Sequence, residues 1–380
     1  MKSTVFVTDT TDGEAAASKH AKKRRLPYPS PERTTMKNLT VWFNRGLSQT
    51  GLLIAAIKQS LHEGDSMRIL STHVSDSVAW KSECDYFELE PAEGGEAYLK
   101  YALDFVRQHN VDVMVPHSHM GLISANRERF AALGCTVIVA GSPEAIHLLH
   151  SKSALYEAVQ EAGGLGIEVP PYILAHGRAA VMAALRHYAN QFQTLCFKPV
   201  KGIGGHGFRI VSPLGANYNR AHNGDFPPLT MSEVEGYLTA LGSPDEEMMV
   251  MPYLDGPEYS VDCLAQNGRL LASVIRTKFP GGLEELLDDQ PDLVEHSSNL
   301  TKMLGLSGLY NVQFLADSEN HRFLLEINPR MAGGTHWGVF SGVLLPYWAI
   351  RLAAGTARPE DIPQPLTGIR FHRKTRQIIQ

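Results

Sequence analysis

Cysteine is scarce in this chain. Its 380 residues hold four (Cys84, Cys135, Cys196 and Cys263) with no C-x-x-C pair, which argues against a zinc ribbon or a disulfide framework and fits a reducing compartment. Three of them fall in apolar runs and read as core, while Cys84 lies between Glu83 and Asp85, whose charges disfavour a thiolate. No apolar run is long enough to span a bilayer. A secretory leader is not expected either, because Val5-Phe6-Val7 is short and Asp9 and Asp12 follow at once. Excess positive charge is also missing: a net charge of -5 and a pI near 6.3 give no support for general nucleic-acid binding. No Ser-His-Asp set can be defended. These absences point to a cytoplasmic protein with neither membrane nor nucleic acid as partner.

What is present describes a globular chain, 43% hydrophobic and 20% charged. Its length exceeds one compact core and suits two to three domains. Residues 1–35 differ from the rest. Lys19, Lys22, Lys23, Arg24 and Arg25 precede Pro27, Pro29 and Pro31, the composition of a flexible extension.

From Lys37 strands and helices alternate. Strands are expected at Leu39–Asn44, Met67–Val74, Val111–Pro116 and Thr136–Ala140, and helices at Gln49–Leu61, Gly95–His109 and Arg127–Leu133. Such alternation implies a parallel sheet with right-handed crossovers, whose ligands bind beyond the carboxyl ends of the strands. His117, Ser118 and His119 fall there and read as pocket lining or turn residues rather than a metal site. The turn Asn44–Gly51 is too poor in glycine for a dinucleotide fingerprint.

A second region begins at Gly141. Strands are expected at Thr194–Phe197, Arg209–Ser212 and Glu247–Tyr253, with a helix at Thr230–Leu241 capped by Ser232. Phe197-Lys198-Pro199 leads into a loop with Gly202, Gly204, Gly205 and Gly207. Glycine lets backbone N–H groups approach phosphate oxygens and lysine adds a compact charge, while a plain glycine-rich hairpin is the alternative. His206 sits inside that loop. Further on, Glu258–Ala265 and Leu270–Thr277 flank Asn267-Gly268, a strong hairpin signal. A helix (Leu293–Leu304), two strands (Gly308–Ala316 and Phe323–Ile327), a last helix (Ser341–Ala354) and a basic tail follow. On the strand ending at Asn328, Glu326 and Asn328 share one face and Ile327 the other. A carboxylate beside an amide oxygen suits a hard divalent cation such as Mg2+, and Pro329 ends the ladder so that Arg330 emerges.

Lys152, Phe197-Lys198-Pro199 with its glycine loop, Tyr253–Asp262, Asn311–Phe314 and Glu326–Arg330 occur in that order. Together they resemble the ATP-grasp superfamily, above all its carbamoyl-phosphate-synthase-like branch of stand-alone carboxylate–amine ligases, including the pyrrolysine-pathway ligase. The resemblance implies an α/β and α+β chain: a parallel-sheet pre-ATP-grasp domain (36–140), linker helices (141–195), a small lobe with a lid (196–255) and a C-terminal lobe (256–380). It implies ATP, with Lys152 and Lys198 on the phosphates, Gly202, Gly204, Gly205 and Gly207 in the lid, Met251, Tyr253 and Leu254 in the hinge, and Glu258 on the ribose. It also implies two Mg2+ ions, with Mn2+ as the alternative, held by Gln313, Glu326 and Asn328. Arg276 and Arg330 correspond to cationic groups near the transferred phosphoryl and the acyl phosphate.

The expected reaction joins a small-molecule carboxylate to an amine through an acyl phosphate. The alternatives are a kinase- or carboxylase-type reaction on a small acid, or a silent ATP-binding regulatory module. Met251-Pro252 departs from relatives that carry an acidic residue in the hinge. Arg45, His119, Thr335, His336 and Trp337 read first as packing or turn residues, with lining of the substrate pocket as the alternative. A homodimer is the base-rate expectation.

Overall fold

The computed structural model describes residues 38–201, 207–215, 228–240, 246–280 and 284–372. The extension 1–35, Gly202, Gly204, Gly205 and His206 therefore lie outside the described residues.

Strands β1 (Leu39–Asn44), β2 (Met67–His73), β3 (Tyr86–Leu89), β4 (Val113–Pro116) and β5 (Thr136–Val137) form a parallel sheet of order β3-β2-β1-β4-β5. Every residue of β1 is buried, as a strand covered on both faces requires. The order reverses between β1 and β4, which opens a crevice at their carboxyl ends. The strand expected over Thr136–Ala140 pairs only at Thr136 and Val137, after which the chain turns toward the helix Pro143–Leu149. There Ser142 Oγ accepts from the Ala145 N–H at 3.2 Å and caps the helix.

The second sheet holds β6 (Ile173–His176), β7 (Leu195–Pro199), β8 (Arg209–Val211) and β9 (Glu247–Pro252), antiparallel in the order β6-β9-β7-β8. On one face it has its own core, in which Val181 and Leu185 of the helix Gly177–Ala189 and Val234 and Leu238 of the helix Met231–Ala240 meet Phe197 and Val250, and on the other Cys196, Met249 and Met251 join the core of a third sheet. That last helix is capped by Thr230 rather than Ser232. The Thr230 N–H donates to Glu233 Oε2 at 2.6 Å, and the Glu233 N–H donates to Thr230 Oγ1 at 3.4 Å.

The third sheet comprises β10 (Glu258–Gln266), β11 (Arg269–Lys278), β12 (Glu284–Asp288), β13 (Gly308–Ala316), β14 (Arg322–Asn328) and β15 (Ile369–His372), in the order β14-β13-β10-β11-β12-β15. Asn267 and Gly268 join β10 to β11 with φ of 50° and 76°, the positive values that a two-residue hairpin turn demands. Part of the expected basic tail is thus the edge strand β15. The last helix is shorter than Ser341–Ala354. A 3-10 turn occupies Thr335–Ser341, Gly342 breaks it at φ 77°, and the helix proper is Leu345–Ala353 with Pro346 in its first turn. Among the described residues no helix is long and apolar enough to cross a membrane.

The first and third sheets share one core. Val41, Phe43 and Ile54 pack in the same cluster as Trp337, Tyr347, Trp348 and Phe371. Arg351 crosses this junction to Asp65 at 3.5 Å, and Tyr347 Oη donates to the same carboxylate oxygen at 3.4 Å. Both charges are almost wholly buried. Asp65→Ala strands the Arg351 charge in the core, so a loss of about 3 kcal/mol is expected, read as a lower urea midpoint. A change under about 0.5 kcal/mol would show that the pair does not tie the sheets together.

Candidate active site

One face of the third sheet carries a row of polar side chains. Arg276 lies opposite Ser260, Ser260 opposite Gln313, and Gln313 opposite Glu326, so the row crosses β11, β10, β13 and β14. Cross-strand partners point to the same side, which places all four on one surface. Ile327 is buried on the opposite side. Lys152 opens the helix Lys152–Ala162, capped by Ser151, and its Nζ reaches Glu326 Oε2 at 3.2 Å. Asn328 Nδ2 donates to Glu326 Oε1 at 2.9 Å. Burial works to raise the Glu326 pKa, but the Lys152 charge, the Asn328 hydrogen bond and the Lys198 charge outweigh it and the net shift is downward. Glu326 therefore stays ionised.

Lys198 comes from β7 and is only 8% exposed. Burial brings its pKa down to about 8, the neighbouring Lys152 charge also lowering it and Cys196 and Glu326 opposing. Two lysines thus converge on one carboxylate from different elements. The donor set of Glu326, Asn328 and Gln313 fits a hard cation that takes its remaining oxygens from a bound phosphate. Among the described residues no group of three or more His, Cys, Asp or Glu could hold a metal by itself.

The glycine loop leaves β7 at Pro199 and returns at Gly207. Gly207 has φ 75°, and a Cβ there would meet Pro199 Cδ at 2.8 Å, so the two ends of the loop close on each other. In the hinge, Met251 and Pro252 are buried at the end of β9, and the Tyr253 N–H donates to Thr194 O at 3.0 Å. That donor is committed to the fold. The rings of Tyr253 and Phe208 stand 6.4 Å apart, and Leu254 follows. Glu258, at the start of β10, is shared with Lys278 Nζ at 2.5 Å.

Residues 244–377 match the family described as ATP-grasp in the biosynthetic pathway with Ter operon. Solved structures agree along most of the chain. N5-carboxyaminoimidazole synthetase from Staphylococcus aureus aligns at a TM-score of 0.57 and 13% identity, covering 87% of this chain and 80% of that one. This chain has the ATP-grasp fold. L-amino acid ligase from Bacillus licheniformis gives 0.57 at 13% identity, over 86% of this chain and 77% of that one. The biotin carboxylase–β-γ-ATP complex from Campylobacter jejuni gives 0.55 at 19% identity, over 87% and 74%. A comparison with curated protein sequences returned no match.

Within this ATP-grasp fold Arg276 is held fast. It is 1% exposed, pairs with Asp262 at 3.1 Å and Glu285 at 3.2 Å, and donates to Ser260 Oγ at 2.8 Å. Asn311 Nδ2 and Thr335 Oγ1 donate to the same Asp262 oxygen at 2.9 and 3.0 Å. Gly334 lies directly on the guanidinium, where a Cβ would sit 2.1 Å from Nη1. The guanidinium cannot swing aside without breaking two buried ion pairs. Gly334→Ala is therefore expected to cost about 1–3 kcal/mol. Chemical denaturation checks this, and an unchanged midpoint would mean that the Arg276 cluster is loose.

Beyond β14, Arg330 stands between two parts of the molecule. Its pKa falls through burial, with Glu326 opposing, and its charge reaches His117 and His150. The further lining residues divide. Trp337 stacks on Phe371 at 5.0 Å and Thr335 serves Asp262, so both pack. His336 Nδ1 lies 3.0 Å from Gly333 O. Arg45 and His119 follow the carboxyl ends of β1 and β4, each with positive φ (41° and 57°), Arg45 paired to the buried Glu90 and His119 packed on the Tyr98 ring at 3.9 Å. Asp262, Glu285 and Glu90 escaped the sequence reading, since each looks like an ordinary strand or loop acid until its arginine is placed.

Proposed function

We propose that the chain is an ATP- and Mg2+-dependent ligase that activates a small-molecule carboxylate as an acyl phosphate and joins it to an amine. The observation that carries this reading is Lys152 at 3.2 Å from Glu326, with Asn328 on the same carboxylate and Lys198 buried beside them. Phosphoryl transfer spreads charge over oxygens, so a catalyst needs positioned cations more than covalent chemistry. Lys152 and Lys198 hold the phosphates. Gln313, Glu326 and Asn328 would hold Mg2+, two ions in the full assignment with Mn2+ as substitute, which neutralises the phosphate oxygens when bound. Lys152 then leaves Glu326 for the phosphate.

A carboxylate oxygen attacks the γ-phosphorus and the bond to ADP breaks. The amine attacks the acyl carbon, phosphate departs and the amine gives up a proton. Arg330 stands where it can hold the oxygens of the acid, while Arg276 acts by fixing Gly334 and Thr335. The lid of Gly202, Gly204, Gly205 and Gly207 shields the acyl phosphate from water. Met251, Tyr253 and Leu254 flank the base and Glu258 takes the ribose once Lys278 yields. We further propose the divisions 36–140, 141–195, 196–255 and 256–380 as its working parts, a cytoplasmic setting in keeping with four unpaired thiols, and a homodimer.

The test is an ADP-release screen of paired carboxylic acids and amines, with mass spectrometry of the product. Release that requires both partners and yields an amide is the expected result. ADP with a stable acyl phosphate, or no release with any pair, would overturn it.

A further inference from the structure

The strand order of the parallel sheet reverses between β1 and β4, and Asn44 ends β1 at that point. Its Oδ1 accepts from the His117 N–H at 2.8 Å and the Ser118 N–H at 3.4 Å, while Nδ2 donates to Tyr98 Oη. His117 is thus fixed at its backbone, leads out of β4, and is 8% exposed. Its Nδ1 is buried and has no hydrogen-bond partner among the described residues. A buried imidazole nitrogen left unpaired costs free energy unless a ligand supplies its partner. His119, two residues on, likewise holds Nε2 without a partner.

The opposite wall comes from the third sheet. The turn after Arg330 abuts the residue before the helix Thr50–Ser60, since a Cβ on Gly333 would sit 3.0 Å from Gln49 Oε1. The Arg330 charge reaches His117 from this side. Burial and that charge bring the His117 pKa to about 4, so the ring is neutral near pH 7 and has one N–H to give. A guanidinium and a neutral imidazole on facing walls are complementary to one oxyanion rather than to a cation or an apolar group.

We propose that His117 is a specificity-determining residue that donates its Nδ1–H to a carboxylate oxygen of the substrate acid, whose charge Arg330 neutralises. The assignment rests on the ligase reading for the word substrate, but the subsite itself does not need turnover. It makes the first sheet a direct reader of the acid.

The experiment uses the full chain labelled with 15N-histidine, titrated with acetate and succinate and without nucleotide. The His117 signal is identified by its absence in His117→Leu. The expected result is a saturable shift of His117 Nδ1 in the wild-type chain that is lost in Arg330→Gln. A resonance that does not move, or one that moves equally in Arg330→Gln, overturns the proposal. Once an acid is known from the ADP-release screen, His117→Leu should raise its KM about tenfold with the KM for ATP unchanged. His117→Asn, whose amide N–H overlies Nδ1, should restore most of it. Equal changes in both KM values, with no rescue by asparagine, would mark a merely structural role and overturn the proposal. If no acid stimulates ADP release, the ligase reading fails while the titration still decides the subsite.

Discussion

Glu326→Gln is expected to reduce ADP formation by at least about a thousandfold while the chain stays folded. Glu326 is the single carboxylate in a donor set otherwise made of the amides of Gln313 and Asn328. An amide in its place keeps the shape and removes the charge, so the proposed divalent cation would lose the anionic member of its proposed ligand set. The same change removes the charge that Glu326 offers Lys152 and Lys198, which pushes the Lys198 pKa lower still. Folding should survive, because Glu326 and Asn328 lie on the face of β14 away from the core residue Ile327. ADP release with saturating ATP and Mg2+, set beside a thermal melt, measures both. Turnover within tenfold of the parent would end the metal assignment.

Lys198→Met is expected to weaken ATP binding at least tenfold and to remove a pH dependence from the folded protein. In the folded chain Lys198 titrates near 8 instead of its ordinary 10.5. A lysine with a depressed pKa destabilises the fold as long as it must be charged, so the full penalty is present below pH 8. Between pH 8 and 10.5 the unfolded chain keeps the proton and the folded chain has lost it, so stability contributed by this site rises with pH. The methionine variant should show no such rise, and the parent should show one on the order of 3 kcal/mol relative to it. Affinity for ATP runs the other way, falling as pH climbs through 8 because the neutral amine no longer attracts phosphate. Parallel stability curves for the two proteins would sink the assignment of a buried charged lysine.

Much of this was legible because the signals are local. The alternation around Glu326 and Asn328, the Asn267-Gly268 turn and the apolar run of β1 need no knowledge of distant residues. What stayed hidden depends on partners far along the chain. β12 gives no strand signal of its own, since Glu284-Glu285 opens it, and it is placed by pairing with β11 and by the Glu285–Arg276 contact. β6, with the sequence Ile-Leu-Ala-His, is too short to declare itself and is set by pairing with β9. For Arg276, nothing in its neighbourhood in the sequence announces Asp262 and Glu285 on either side. His117 was visible as a residue at a strand end. Its orphaned nitrogen and its nearness to Arg330 were not.

The core shared by the first and third sheets has a consequence for building hybrids. Trp337, Tyr347, Trp348 and Phe371 cover one side of the first sheet, and Asp65 answers Arg351 there. The second sheet packs its own helices on one face only, and on the other Cys196, Met249 and Met251 share a core with Tyr259, Val312 and Phe314 of the third sheet. Residues 38–140 are therefore not a cassette that can be exchanged between chains by cutting at the linker. A graft would have to carry the matching surface of 337–371 with it, and a swap of the second sheet would likewise have to carry the residues of the third sheet that face Cys196, Met249 and Met251.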